Sequence, residues 1–465
     1  MKRIAFQTIL LLFALPPAFG QAEIKLQLKN LRCDSVSIQA YNGEKKGRVV
    51  QAKPYAPEMT FKSKARLESG LYWVMGDSTV LCEFLLSPHE SQKFTINIDT
   101  GSVVFQNSDE NTRNVEYVKR MGEYNRQFLA FDQEFKEAQH SMPQYMLKVF
   151  VDSLTAKARR LNAERTAWQQ QTALENRNNL LGSVVQASID VPEPPEEYYR
   201  NRDLYLQYYV QHFFDGFPWN DPNVFNTPVS GNKIKDFCNI IYQLDRPDLD
   251  TFVVATLDKA KSNEQSLYRL FDRLEKILGS ITSPYKVEHT YIKMLQYMLA
   301  YPNLDENRTR RYERELKNIN KNLAGDTVPD FRMVTATGDT LSLYDIQSEY
   351  MILYLQHPTC PTCREVRGRM ARFSALNSAI DKGNLKVLTV YFEDDPKVWA
   401  QYVRSPEANA RYMHGWNFDQ TIEDKMLYDT RTIPYMFLLD KDKRVVKKDL
   451  LVNEIEDFIQ RLGLE

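Results

Sequence analysis

An almost continuous apolar run, Met351 to Gln356, passes through His357-Pro358-Thr359 into Cys360-Pro361-Thr362-Cys363, and a helical pattern then extends to Leu376. A strand that is apolar along its whole length is one covered on both faces, so this segment belongs inside a sheet flanked by helices. Leu385 to Phe392 is a second such strand, followed by the acidic loop Glu393-Asp394-Asp395 and a helix from Pro396 to Val403. Tyr435 to Leu439 and Arg444 to Lys448 form a hairpin around Lys441-Asp442-Lys443, and Asn453 is placed to cap a closing helix to Leu462. From about Asp326 onward the chain therefore reads as an α/β domain.

The cysteine pair sits where its first strand hands over to a helix, and redox chemistry needs that placement. A thiolate, not a thiol, attacks a disulfide sulfur, and an ordinary cysteine is only a few per cent ionised at neutral pH. A helix N-terminus favours an anion by up to about 2 kcal/mol in a partly buried site, enough to raise the thiolate population more than tenfold. Pro361 suits the first helical turn, where its missing N–H costs nothing. Cys363, one turn along, can reach the first sulfur and resolve a mixed disulfide. His357 and Arg364 flank the pair as candidates for tuning the thiolate. Zinc would need two further ligands at usual spacing, which the sequence lacks, and c-type haem would need His where Arg364 stands. Neither a metal nor a cofactor is therefore expected.

With 465 residues the chain has room for about three domains. Residues 21–107 read as a β-rich domain: Ile24 to Leu28 and Val36 to Ala40 alternate apolar and polar residues. Gly70 to Met75, Val80 to Leu86, Phe94 to Ile98 and Val103 to Phe105 continue the series. Turn formers such as Asn42-Gly43 and Gly76-Asp77-Ser78 separate them, so an antiparallel sandwich of seven or eight strands is expected. Residues 108–323 read as helical. Val115, Val118, Met121 and Leu129, and then Tyr145, Met146, Val149 and Leu154, recur at threes and fours and predict apolar stripes that bury against one another. The fold class expected is a multidomain α+β chain: sandwich, helical middle region, and an α/β domain over 324–465.

Residues 1–20 read as an export address. Lys2 and Arg3 precede a stretch of 12 residues, Ile4 to Leu15, whose helical length of about 18 Å falls short of the roughly 30 Å membrane core. A small-residue site, Ala18-Phe19-Gly20, follows. The expected product is exported and soluble, periplasmic in a Gram-negative cell. Lys and Arg total 60 against 61 Asp and Glu, which gives no basic excess for binding nucleic acid. Outside the cytosol a Cys33–Cys82 bridge could persist, or the two could remain a free thiol and a buried thiol. Cys238, beside Phe237, is expected buried and inert.

Four motifs in order now give residues 328–465 a family likeness. They are Val328-Pro329-Asp330-Phe331 with Gly338 to Leu343, the Cys360 to Cys363 motif, Tyr391 to Asp395 with Trp399, and Thr432-Ile433-Pro434 with Phe437 to Asp440. This part resembles the thioredoxin superfamily, specifically the TlpA/ResA-like exported thiol-disulfide oxidoreductases. The resemblance implies a cis Pro434 beside the cysteines, with the Ile433 backbone docking an extended substrate. It implies disulfide exchange with cysteine-containing protein substrates; Cys-Pro-Thr-Cys matches neither the thioredoxin nor the usual TlpA sequence and leaves the direction of electron flow open, and the expectation adopted is a reductant, fed by a membrane thiol electron donor of DsbD type. Tyr354 stands where thioredoxin has a buried carboxylate, and Thr359 replaces the usual tryptophan. A peroxiredoxin pattern fits at Pro358 and Thr362 but meets Glu365 at its cysteine position. The alternative from another class is a periplasmic binding or scaffold protein with a non-catalytic thioredoxin fold. The oligomeric state is left open.

Overall fold

The computed structural model describes residues 21–464, apart from 42–46, 89, 245, 281–282 and 431–432. The predicted export segment, the Asn42-Gly43 turn and Thr432 lie outside the described residues. Contacts divide the chain into two compact units, residues 1–287 and 288–465. No helix among the described residues is long and apolar enough to cross a membrane.

The first unit opens with eight strands: β1 (Ala22–Leu28), β2 (Ser35–Ala40), β3 (Arg48–Pro54), β4 (Glu58–Ser63), β5 (Gly70–Gly76), β6 (Thr79–Leu86), β7 (Lys93–Asp99) and β8 (Ser102–Gln106). They form two four-stranded sheets, β4-β1-β7-β8 and β3-β2-β5-β6. Ile24 and Leu26 of one sheet and Val36, Ile38 and Val74 of the other share one core, which makes a sandwich. One pairing departs from the antiparallel expectation, since β1 and β7 run parallel. Parallel neighbours need a long connection, and the excursion through the second sheet supplies it. Cys33 and Cys82 both pack on this core as free thiols, without the bridge the sequence left open. Burial pushes the Cys82 thiol up to about 12 and raises that of Cys33, so neither is a ready nucleophile.

The outer face of β5 and β6 is covered too, which is why β5 is apolar nearly throughout. Leu71, Trp73 and Leu85 pack against the helices α1 (Asp109–Ser141), α2 (Gln144–Glu175) and α3 (Leu180–Ala187) through Tyr117, Leu181 and Val185. The Asn111 side chain accepts from Leu85 N–H (2.7 Å) and donates to Leu85 C=O (2.9 Å), so a helix residue stands in for a strand partner. The α1/α2 hairpin corrects the buried-stripe expectation: Val118, Leu129, Tyr145, Met146 and Val149 are exposed. The two helices, 33 and 32 residues long, leave these side chains uncovered among the described residues. The unit continues with α4 (Arg202–His212), α5 (Pro228–Ile241), α6 (Arg246–Ala260) and α7 (Glu264–Leu274). Cys238 is fully buried on α5, its thiol pushed up to about 12 by burial.

The second unit begins with α8 (Glu288–Leu299) and α9 (Glu306–Ile319), then β9 (Arg332–Thr335), β10 (Thr340–Ser342), β11 (Tyr350–Leu355), α10 (Pro361–Met370), α11 (Ser374–Asp381), β12 (Leu385–Tyr391), α12 (Pro396–Val403), β13 (Met413–Trp416), α13 (Thr421–Asp424), β14 (Tyr435–Asp440), β15 (Val445–Lys447) and α14 (Ile455–Arg461). The seven strands form one sheet in the order β10-β9-β13-β12-β11-β14-β15, with β11 at its heart, parallel to β12 and antiparallel to β14. Buried Lys448 fastens α8 and α9 to this unit: its ammonium donates to Ile319 C=O at 2.5 Å and faces Glu288 at 3.5 Å. The single helix expected from Cys360 to Leu376 is two, α10 and α11. Phe373 takes an extended conformation that turns its ring to the core, and the Asn377 amide donates to the freed Ala371 carbonyl at 3.1 Å.

Candidate active site

Strand β11 delivers the chain to the cysteines. Gln356 N–H still donates to Val390 C=O, after which the backbone leaves the sheet and Cys360 becomes the N-cap of α10. Pro361 occupies the first helical position, and Cys360 Sγ accepts from Cys363 N–H at 3.3 Å. The two sulfurs differ sharply. Cys360 is half-buried, whereas Cys363 is fully buried. Burial opposes ionisation of Cys360, but the Cys363 thiol, the N–H groups of Cys363 and Thr362 and the Arg367 charge outweigh it, so its pKa falls below the ordinary value. Burial and the neighbouring Cys360 push Cys363 up to about 12. Both are free thiols.

The Ile433–Pro434 peptide bond is cis. Tyr435, the next residue, lies opposite Leu355 in the β11–β14 register, so Pro434 enters the sheet at the edge from which the cysteine turn leaves. Tyr354 is fully buried and its hydroxyl donates to Cys363 C=O at 3.0 Å, so the position holds a neutral clamp on the helix rather than a carboxylate. His357 Nδ1 faces the Thr359 hydroxyl at 2.9 Å, and its Nε2 lies 3.4 Å from Glu393. Arg364 is exposed and turns to Glu407 at 3.0 Å.

Two family models match separate stretches of the chain. A family model described as the AhpC/TSA family matches residues 324–448, and one described as a domain of unknown function, DUF5106, matches residues 156–322. A thioredoxin-like protein from Bacteroides caccae is 25% identical over 58% of this chain and 97% of its own, with a TM-score of 0.54. The C-terminal part of the chain is a thioredoxin-like domain. The thioredoxin domain of a thiol-disulfide oxidoreductase from Bacteroides vulgatus is 17% identical, over 30% of this chain and 97% of that one, with a TM-score of 0.27. A thiol-disulfide oxidoreductase from Bacteroides fragilis is 18% identical over 30% and 99%, with a TM-score of 0.26. No functionally curated protein matches the sequence.

Within this thioredoxin-like domain, one residue escaped the sequence reading. Arg367 is 4% exposed, and its guanidinium donates to Gln356 Oε1, to Pro358 C=O (3.2 Å) and to Glu407 (2.7 Å). It also lies over the Tyr402 ring at 5.1 Å. Its charge favours the ionised form of both cysteines. It thus ties the turn before Cys360 to the helix after it, and supplies the buried cation that neither His357 nor Arg364 supplies. The available clue was spacing alone: Arg367 follows Cys363 by four residues, one turn along the same face.

Proposed function

We propose that the protein is an exported thiol–disulfide oxidoreductase that reduces disulfides of protein substrates through Cys360 and Cys363. The observation that carries this reading is the asymmetry of the pair: an accessible sulfur at the helix start favoured as thiolate, backed by a buried sulfur held as thiol. Cys360 thiolate attacks one sulfur of the substrate disulfide, forms a mixed disulfide and expels the other as thiolate. Cys363 then loses its proton and attacks Cys360 Sγ, and the second substrate sulfur leaves. Two electrons pass to the substrate, whose two thiolates take up the Cys363 proton and one from solvent, and the protein is left with a Cys360–Cys363 disulfide. The placement of Ile433 and Pro434 at the strand end from which the cysteine turn leaves supports docking of an extended substrate backbone at Ile433. Arg367 holds the turn and favours the thiolate. Export is supported by the Lys2-Arg3 leader pattern. Glu365, standing where a peroxiredoxin carries its cysteine, argues against a peroxidase.

The test is a trapping experiment with a disulfide-bonded protein such as insulin. Cys363→Ser should accumulate a mixed disulfide with substrate, and Cys360→Ser should not; equal trapping by both refutes the assignment. Equilibration with glutathione fixes the direction. A potential near thioredoxin's, about −270 mV, agrees with a reductant, whereas one near about −120 mV would make the protein an oxidant.

A further inference from the structure

A cleft of the first unit is lined by none of the residues that this chemistry uses. It measures about 740 Å³, within the range of small-molecule sites, and lies where β-sandwich residues meet α5, α7 and the segment that follows them. One wall is aromatic. Trp73 is nine-tenths buried, its indole N–H donates to Glu83 at 2.8 Å, and the Tyr41 ring meets it edge-on at 5.7 Å. The rest of the lining is rich in cations: Lys235, Arg269, Arg273 and Lys276 stand with a single carboxylate, Asp272, among the described lining residues.

The cations differ in what they already hold. Arg269 is spent on Pro222 C=O, Asn226 and Glu68. Arg273 donates through Nη2 to Phe225 C=O, which fixes the guanidinium while leaving Nη1 without an acceptor among the described residues. Lys235 and Lys276 take part in no ion pair among the described residues, and both are exposed. Gly231, in the first turns of α5, explains the shape. A Cβ there would stand 2.7 Å from the Tyr41 hydroxyl and 2.9 Å from Arg273 Nη1, so two polar groups converge over a position kept free of side chain. The Tyr41 hydroxyl also finds no protein partner among the described residues. Two convergent donors favour a negative charge over Gly231, and two further cations and the N-terminal end of a 14-residue helix line the same cleft, together with the aromatic Trp73.

We propose that this cleft binds a small organic anion, with a carboxylate or phosphate head received by Arg273 Nη1 and the Tyr41 hydroxyl and a flat apolar body laid against Trp73. Arg273 and Tyr41 supply the directional contacts, and Lys235 and Lys276 raise the local anion concentration.

Calorimetric titration of the full-length protein tests it with phenylacetate and phenyl phosphate as probes. At least one should bind saturably at or below about 10 mM, as a ligand of this size allows. Saturation by phenylacetate alone assigns a carboxylate head, and by phenyl phosphate alone a phosphate head. Phenylacetamide, which lacks the charge, should bind at least tenfold more weakly. Arg273→Met should weaken the aromatic acid at least tenfold. Because that change also frees Phe225 C=O, the exposed pair Lys235→Gln/Lys276→Gln is measured alongside, and should weaken binding about threefold or more with the circular dichroism unchanged. Failure of both aromatic acids to saturate, equal binding of phenylacetamide, or unchanged affinity in the lysine pair would overturn the proposal. Acetate or inorganic phosphate binding as tightly as its aromatic counterpart would overturn the role of the apolar wall.

Discussion

Replacing Cys363 by alanine removes the thiol that helps hold Cys360 as a thiolate, while leaving the Cys363 backbone N–H, 3.3 Å from Cys360 Sγ, in place. A hydrogen bond to a charged acceptor contributes about 1.5–3 kcal/mol, and a thiol is a weak donor, so the low end applies. About 1.5 kcal/mol is a tenfold change in an equilibrium constant, so at a fixed pH below the midpoint the thiolate population falls about tenfold. The sulfur that remains is intrinsically more nucleophilic. A Brønsted coefficient of about 0.4–0.5 returns roughly a threefold gain, so the net alkylation rate should fall about three- to fourfold. The assay is iodoacetamide labelling of Cys360 across pH, followed by peptide mass spectrometry, because Cys33, Cys82 and Cys238 also carry thiols. The midpoint should move alkaline in Cys363→Ala and return most of the way in Cys363→Ser, whose hydroxyl is again a donor. An unmoved midpoint in Cys363→Ala would refute the reasoning and leave the backbone N–H groups and Arg367 as the whole cause of the lowered pKa.

Arg367→Met should lower the stability of the C-terminal unit by about 3 kcal/mol, since it frees buried Gln356 and strips a partner from Glu407. It should also move the Cys360 alkylation midpoint alkaline, a readout that a purely structural role would leave unmoved; Arg367→Lys keeps the charge without the fork and should rescue the midpoint better than the stability. Buried Glu110 gives the first unit a pH dependence. Burial pushes its carboxyl up to about 7, against the opposing bonds from the Ser87 hydroxyl and Leu181 N–H. A carboxyl whose pKa is higher in the folded state than its ordinary 4.5 binds its proton more tightly when folded. That contribution is full below pH 4.5 and is lost as pH rises through 7, by up to about 3 kcal/mol. Urea unfolding followed through tryptophan fluorescence should show the decline, and Glu110→Gln should flatten it; identical slopes in the two proteins would refute the assignment.

Some of this protein is written in short stretches of chain. The spacing of Cys360 and Cys363, with Pro361 between them, determines that one sulfur caps a helix and the other lies a turn inside it, because a helix start depends on neighbours within four residues. Period-two alternation in β1 and β2, and the unbroken apolar run of β11, likewise determine which faces are covered. Tertiary structure decided the rest. Arg367 reads in sequence as an ordinary cation on a polar helix, and it is buried only because Gln356, Pro358 and Glu407, brought from both sides of α10, close around it. The parallel β1–β7 pair and the exposed α1/α2 faces depend on which layers the chain builds and where they end. The cleft is the clearest case. Tyr41 and Gly231 stand 190 residues apart in the chain, and nothing local in either segment says that a hydroxyl and a guanidinium will converge over a missing side chain. Local hydrogen bonding and side-chain period are properties of adjacent residues, whereas burial of a charge and the shape of a cavity are properties of surfaces that meet only when the chain has folded.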